Sequence, residues 1–438
     1  MRISVFGLGY VGCVSAACLA ADGHQVVGVD VNSVKVDLIN EGRSPIVEPG
    51  LGHMIAEGVA TGGLVATSDA ARAVSETDLS FVCVGTPGDS AGRLDLKYVE
   101  RVSADLGRAL RLKEGYHLVV VRSTMLPGST ESTVLPTLER TSGRRGGVDL
   151  GLAYNPEFLR EGTAVEDFYD PPKTVVGELD ERSGDTLSDL YAGLEAPLFR
   201  TDIKTAEMVK YADNAFHALK ISFANEIGVL CRDAGIDSHE LMDIFSQDTK
   251  LNISAAYLRP GQAFGGSCLP KDLRALNQRA RERGLATPVL ASILDSNERQ
   301  KRRALALVTE TGKKRVAILG LSFKPDTDDL RESPAVDLVE RLLGKGYELK
   351  IYDRNVALAR LVGANKEFIE HEIPHIASLM VPDVSTAVTG SDVVVVASGD
   401  AEFRAVPEML APGQVLVDLV RIMDSIDGFG GQYLGIAW

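Results

Sequence analysis

The stretch GQAFGGSCLPKD, Gly261 to Asp272, sets a cysteine behind two glycines and a serine and follows it within four positions by a lysine and an aspartate. A thiol in such a glycine loop gains little from packing, and Lys271 is close enough to favour a thiolate, so Cys268 reads as a nucleophile. Cys13, Cys18 and Cys83 sit among apolar neighbours and Cys231 falls inside a helical pattern; these four read as core residues. Further along, Lys210, Asn214, His217 and Ile221 fall at i, i+4, i+7 and i+11. At roughly 100° per residue they share one helical face, with Asn225 close to the same line. Two carboxylates, Glu157 and Glu161 in YNPEFLREG, lie four residues apart, a spacing that predicts one face of a short helix begun at Pro156. Carboxylates of this kind act as general bases when desolvation raises their pKa. By spacing alone, an exposed surface is the better reading of both the polar stripe and the glutamate pair; against it, Ala212, Ala215, Phe216, Ala218, Leu219 and Phe223 leave the helix little other polar surface, so the stripe is expected to face something polar.

The elements that must position these groups begin at the first residues. Ile3 to Phe6 is an apolar strand, GLGYVG a glycine turn, Val11 to Ala21 a small-residue helix stopped by Gly23, and QVVGVD a second strand ending in Asp30. A lone GxGxxG is weak, but between a strand and a helix, with an acidic residue closing the next strand, it is the fingerprint of a dinucleotide site. Gly7, Gly9 and Gly12 let the backbone of Tyr10 and Val11 approach a pyrophosphate, and the helix N-terminus offers it unpaired N–H groups. Asp30 should accept from the adenosine ribose and repel a 2′-phosphate, which favours NAD over NADP; Lys35 is the nearby basic residue. Thr86 and Thr124, at the ends of the strands LSFVCVG and HLVVVRST, stand where loops of this fold meet their ligands. NAD beside a reactive thiol implies oxidation beyond the aldehyde: the thiol captures an aldehyde, hydride leaves, and the thioester is hydrolysed to an acid.

The C-terminal part repeats the plan: RISVFGLGY is echoed by RVAILGLSF, HQVVGVDVN by YELKIYDRN, and TDLSFVCVG by SDVVVVASG. After Gly320 the second and third glycines are missing, so no second NAD site is read there. Its loop carries Lys324 and Arg331, which suit a phosphorylated ligand and solvated surface equally. Between the two halves the pattern is helical, and Ile203 to Gly235 alone predicts a helix of about thirty residues, long enough to span domains or pack against a partner subunit. The fold class expected is α/β, with two Rossmann-like domains joined by a central helical domain: 1–202 for NAD, 203–303 for dimerisation and 304–438 for the substrate. At 438 residues, 45% hydrophobic and 24% charged, the chain suits about three globular domains. A net charge of −15 argues against nucleic acid as partner. Five scattered cysteines without CxxC or Cys/His spacing predict free thiols and no metal site. No export signal and no apolar run long enough to cross a bilayer are present, so a cytoplasmic protein is expected.

Taken in order, GLGYVG, VGTP, RSTMLPG, NPEFLREG, the Lys210/Asn214 helix, FGGSCLPKD, LGLSFKPDTDDLRESP and YDRN resemble the nucleotide-sugar 6-dehydrogenases, the family of UDP-glucose and GDP-mannose dehydrogenases, over essentially the whole chain. The resemblance implies a four-electron oxidation of a sugar C6 alcohol using two NAD, in a homodimer or higher homo-oligomer. Carried over by motif, it implies Cys268 as nucleophile and Lys210 and Asn214 as the groups that stabilise an oxyanion and place water. It pairs Glu161 with Thr124 in activating that water, and gives Glu157 and Asp272 parts in proton transfer. Lys271 and Arg331 would contact the cofactor, and Lys324, His217, Asn225 and Gly265 the sugar nucleotide. KLNISAAYLRPGQAFGGSCLPKD, VGANKEFIE and the ending GIAW look closest to the GDP-mannose branch, whose product feeds alginate-type polysaccharides, with Tyr257 and Arg259 in its substrate loop. Ala256 and Gln262 stand where that branch leads us to expect aromatic residues, so UDP-glucose stays open as the alternative substrate. Three rivals remain: a two-electron hydroxyacid dehydrogenase with Cys268 a bystander, a non-catalytic NAD-binding protein, and a nucleotide-sugar epimerase. The last needs a helical Tyr-x-x-x-Lys, and the spacing Tyr169 to Lys173 is interrupted by Pro171 and Pro172.

Overall fold

The computed structural model describes residues 1–87, 94–258, 260–266, 268–322, 330–354, 356, 376–423, 425 and 429–438. The chain divides into two compact units, Met1–Ala218 and Leu219–Trp438.

The first unit is built on an eight-stranded sheet: β1 (Arg2–Phe6), β2 (Gln25–Val29), β3 (Leu64–Thr67), β4 (Leu79–Val82), β5 (His117–Val121), β6 (Leu150–Tyr154), β7 (Thr174–Glu178) and β8 (Leu198–Asp202), in the order β3-β2-β1-β4-β5-β6-β7-β8. All neighbours run parallel except β6 and β7. The sequence dictates this locally. LVVV and LGLAY are apolar without alternation, and a strand buried on both faces is what such a run can form. Helix Tyr10–Ala21, YVGCVSAACLAA, is buried from Gly12 to Leu19, and its small side chains let it lie close to the sheet. The sheet order reverses direction at β1, flanked by β2 and β4. The crevice beyond the strand C-ends at such a point is where doubly wound sheets bind ligands.

The second unit carries a five-stranded parallel sheet: β9 (Arg315–Leu319), β10 (Glu348–Tyr352), β11 (Val393–Val396), β12 (Val415–Asp418) and β13 (Gln432–Gly435), in the order β10-β9-β11-β12-β13. The order β10-β9-β11 repeats β2-β1-β4, so the three echoed sequence pairs occupy matching places in two sheets. Between β8 and β9 the described residues form no strand and four main helices: Ile203–Ala234, Ser238–Ser246, Leu269–Glu282 and Pro288–Thr309. The first is 32 residues long. Its opening is fixed by Asp202, whose carboxylate accepts from the N–H (2.9 Å) and hydroxyl (2.6 Å) of Thr205. Ile203, Ala206, Glu207 and Lys210 are buried on the first unit, whereas Asn214 to Ile221 are exposed. Among the described residues no helix is long and apolar enough to cross a membrane.

One buried ring ties this fold to pH. His117, at the start of β5, has no exposed surface; one ring nitrogen lies 2.8 Å from the Ser80 hydroxyl and the other 3.0 Å from the Lys113 ammonium. Burial, then the Lys113 charge, push its pKa down to about 3. On unfolding below about pH 6.5 the ring takes up a proton that the native state excludes. Its contribution to stability is therefore complete above that value and is lost as pH falls toward 3. We expect His117→Gln to flatten the pH dependence of unfolding free energy across this window by up to about 1.4 kcal/mol per pH unit, read from urea titrations of both proteins.

Candidate active site

The glycine turn connects β1 to helix Tyr10–Ala21. Gly7 has φ +96°, and a Cβ there would meet the Cys83 carbonyl at 2.9 Å. A Cβ on Gly12 would stand 1.8 Å from the Gly7 oxygen, so the third glycine lets the helix seat on the turn. At Gly9 a Cβ meets nothing in the protein within 4 Å, so the turn is open on that side, where a pyrophosphate would approach. Asp30, just after β2, accepts from the N–H of Leu8 (2.8 Å) and Asn32 (2.9 Å) and lies 3.5 Å from Lys35. A carboxylate has about four acceptor positions, which leaves capacity for a ribose. A cleft of about 350 Å³ is lined by Gly7, Gly9, Asp30, Lys35, Gly85 and Tyr98 among others. Space, backbone and charge all fit a dinucleotide. Deeper in, the Thr86 hydroxyl donates to the Thr124 carbonyl (2.7 Å) and Ser123 to the Val84 carbonyl (2.6 Å), joining the loops after β4 and β5.

Beyond β6 the chain enters the loop with Glu157 and Glu161. The spacing predicts a helix from Pro156; the structure has none before Ala164–Tyr169. The reason is the destination of the loop's N–H groups. Leu159 donates to the Glu157 carboxylate, Arg160 to Asp167, and Gly162 and Ala164 to Glu48, each at 2.8 Å. Carboxylates take the bonds that i−4 carbonyls would accept in a helix. Glu157 pairs with Lys210 at 2.9 Å, with side chains only 12% and 10% exposed, so the long helix and the loop meet through a largely desolvated ion pair. Removal of one member of such a pair leaves an uncompensated charge. Glu161 is exposed on a turn, Thr124 is partly buried beside the loop after β5, and Asn214, His217 and Asn225 are exposed.

In the second unit Cys268 is exposed and directly precedes helix Leu269–Glu282; Cys13, Cys18, Cys83 and Cys231 are buried, and no disulfide joins any of the five. Burial pushes the thiols of Cys13, Cys18 and Cys83 up to about 12, which keeps them protonated and inert. A negative charge developing at the N-terminal end of a helix is favoured by the helix dipole. Lys271 and Asp272 are both exposed and pair with each other at 3.2 Å. The preceding glycines hold the loop rather than loosen it. A Cβ on Gly265 would lie 2.4 Å from the Glu332 carbonyl, and Gly266 has φ +87°. Asn297 brackets Phe264, accepting from its N–H and donating to its carbonyl, both at 2.9 Å. Tyr257 is 84% exposed with φ +63°, and Gln262 lines a groove with Phe264 and Asn297. Arg331 is partly buried just before helix Pro334–Gly344. Arg259 and Lys324 lie outside the described residues.

The structure therefore gathers Lys210, Glu157 and the loop of Glu161 in the first unit and the Cys268 loop in the second. Sequence reasoning missed Asn297, Glu48, and the buried pair Arg122 and Asn155. Arg122 donates to the Asn155 side chain and to the Tyr191 hydroxyl (2.8 Å), and Asn155 donates to the Val175 carbonyl (2.9 Å), which fixes the first residue after β6. The only local signal was a polar residue inside an apolar context, RST after VVV and YNP after LGLA.

Three segments match the UDP-glucose/GDP-mannose dehydrogenase family: the NAD binding domain over residues 1–195, the central domain over 204–299 and the UDP binding domain over 317–425. The chain is 52% identical to GDP-mannose 6-dehydrogenase of Pseudomonas aeruginosa and 50% identical to that of Azotobacter vinelandii, each over the full length of both proteins. It is 38% identical to a UDP-glucose 6-dehydrogenase of Haloferax volcanii, covering 99% of this chain and 100% of that one. The crystal structure of a ternary complex of GDP-mannose dehydrogenase from Pseudomonas aeruginosa superposes with a TM-score of 0.97 over all of both chains.

The glycine geometry separates folding from cofactor binding. Gly9→Ala should melt within a few degrees of the parent yet lose at least tenfold in NADH affinity, because its methyl occupies only the open side of the turn. Gly12→Ala should lose both, because its methyl has no room against Gly7. Thermal melts and NADH fluorescence titration read the two effects; equal behaviour of the variants would contradict the geometry.

Proposed function

The chain belongs to the UDP-glucose/GDP-mannose dehydrogenase family, and on that premise we propose that it oxidises the C6 alcohol of GDP-mannose to the acid, giving GDP-mannuronate with reduction of two NAD. The observation that carries the choice of sugar is the identity gradient over the whole chain, 52% to a GDP-mannose enzyme against 38% to a UDP-glucose enzyme. UDP-glucose is the second reading, because Ala256 and Gln262 replace expected aromatic residues in the candidate substrate loop.

In the first oxidation the alcohol loses a proton and a hydride and becomes an aldehyde. The Cys268 thiolate then adds to the aldehyde carbon, and the resulting oxyanion takes a proton. Loss of that proton together with a second hydride gives a thioester; water attacks it, the C–S bond breaks, and the acid and thiolate are released. NAD supplies the hydride acceptor in each of the two oxidations. Lys210 is assigned to the developing oxyanion, its ammonium already held by Glu157. Asn214 is assigned to the water, and Glu161 with Thr124 to taking its proton. Glu157 and Asp272 receive the auxiliary proton transfers, and Lys271 and Arg331 the cofactor. Residues 1–202 serve NAD binding, 203–303 dimerisation and 304–438 the sugar nucleotide.

A homodimer or higher homo-oligomer is supported by the large apolar side chains that the central helices expose in a single chain, among them Leu219, Ile221 (63% exposed), Val229 and Ile244. Work in the cytoplasm is supported by five thiols without a disulfide, and supply of uronate to an alginate-type polysaccharide by the product itself.

With GDP-mannose we expect two NADH per sugar oxidised, and turnover with UDP-glucose at least tenfold lower in kcat/KM. One NADH with an aldehyde product would sink the four-electron reading. Cys268→Ser should bind NAD normally and form no acid; acid production at the parent rate would remove Cys268 from the mechanism. Light scattering should give at least twice the chain mass, and Ile221→Asp should shift the protein toward the monomer.

A further inference from the structure

Glu48 lies in the segment SPIVEPG ahead of helix Leu51–Ala60, far in sequence from any candidate catalytic residue, and is only 7% exposed. One carboxylate oxygen accepts from the Ala164 N–H at 2.8 Å. The other accepts from the Gly162 N–H at 2.8 Å and from the Tyr10 hydroxyl. The Gly162 N–H lies 3.1 Å from the Tyr10 oxygen as well. Tyr10 directly follows the second glycine of the cofactor turn, and Gly162, at φ +91°, directly follows Glu161. A single buried side chain thus joins the turn where a dinucleotide would lie to the backbone that carries Glu161.

The chemistry of the clasp requires a charge. An ionised carboxylate only accepts, and here it faces donors on both oxygens. Burial opposes ionisation, but the Tyr10 hydroxyl and the N–H groups of Gly162, Ala164 and Val165 outweigh it and hold Glu48 below the usual carboxylate range. Burial and Glu48 in turn push the Tyr10 phenol up to about 12, so it stays a donor. An amide in place of the carboxylate would turn an N–H donor toward one of these donors, and the loop would lose its fixed conformation.

We propose that Glu48 is a positioning residue for the hydrolytic half of the reaction, holding Glu161 in register with the cofactor turn through Tyr10, Gly162 and Ala164; the inference rests on the role assigned to Glu161 above. Its signature is selective. Both hydride losses precede attack of water on the thioester, so a displaced Glu161 slows release of the acid without preventing formation of the covalent intermediate.

The test uses the full-length enzyme with GDP-mannose and NAD. In Glu48→Gln we expect kcat to fall at least tenfold, NADH affinity to stay within threefold of the parent, and a sugar-nucleotide adduct on Cys268 to accumulate, seen by intact-protein mass spectrometry after acid quench. The control is Glu226, equally buried in the second unit, whose carboxylate accepts from the N–H groups of Val289 (2.7 Å) and Leu290 (2.9 Å). Glu226→Gln should lose stability to a similar degree and accumulate no adduct. A kcat within twofold of the parent for Glu48→Gln, or adduct in both variants, overturns the inference. If Glu48→Gln does not fold, Tyr10→Phe decides: it keeps the carboxylate on both loop N–H groups and drops only the phenol, and adduct supports the inference while its absence overturns it. Failure of the parent enzyme to make acid at all would defeat the functional reading instead.

Discussion

A buried carboxylate whose oxygens receive backbone N–H groups is the interaction on which the loops of both units depend. Strand C-ends that present functional side chains must leave regular structure, and the N–H groups released there need acceptors. Glu48 serves Gly162 and Ala164, Asp167 serves Arg160, and Glu207, fully buried on the long helix, serves Gly128 and Thr130. Glu226 does the same for Val289 and Leu290, and Asp353 for Leu321 and Ser322. Bonds of this kind are stronger than those between neutral groups, so each fixes a loop without a second strand to pair it. Part of the chain's excess of acidic residues is therefore internal structure rather than surface charge.

The same device shows how two repeats of one plan come to differ. Asp30 and Asp353 close equivalent strands, and each accepts from the turn after the first strand of its sheet. Asp30 takes one N–H of that turn and lines an open cleft with Gly9. Asp353 takes two N–H groups and the Ser322 hydroxyl on a single oxygen and is buried. In the first unit the aspartate faces a ligand cleft; in the second its acceptor capacity is turned inward on the fold. The missing second and third glycines after Gly320 agree with that difference.

Most of the fold was legible because its signals are local. Apolar runs bounded by glycine mark the strands, and the echoed segments identify matching places in two sheets from residue types alone. The thirty-residue helix was legible for the same reason, since nothing within it breaks the pattern. The conformation of residues 155–163 was not legible. Pro156 and the four-residue spacing of Glu157 and Glu161 favour a helix, and what prevents it is Glu48, more than a hundred residues earlier, together with Asp167. The grip of Asn297 on Phe264 was hidden likewise: an asparagine on a helix carries no sign that it will bracket a peptide 33 residues away.

The distribution of the five thiols follows from the same separation of fixed backbone from accessible side chain. A nucleophile must be open to its substrate, yet its backbone must not wander, and packing the side chain would satisfy only the second condition. Cys13, Cys18 and Cys83 are packed, and burial leaves them protonated. At Cys268 the loop is held by its neighbours instead: Gly265 sits against Glu332 where no side chain would fit, Phe264 is gripped by Asn297, and helix Leu269–Glu282 begins at the next residue. The glycines that suggest looseness in the sequence are what allow so close an approach. They leave the sulfur exposed on a backbone held from both sides.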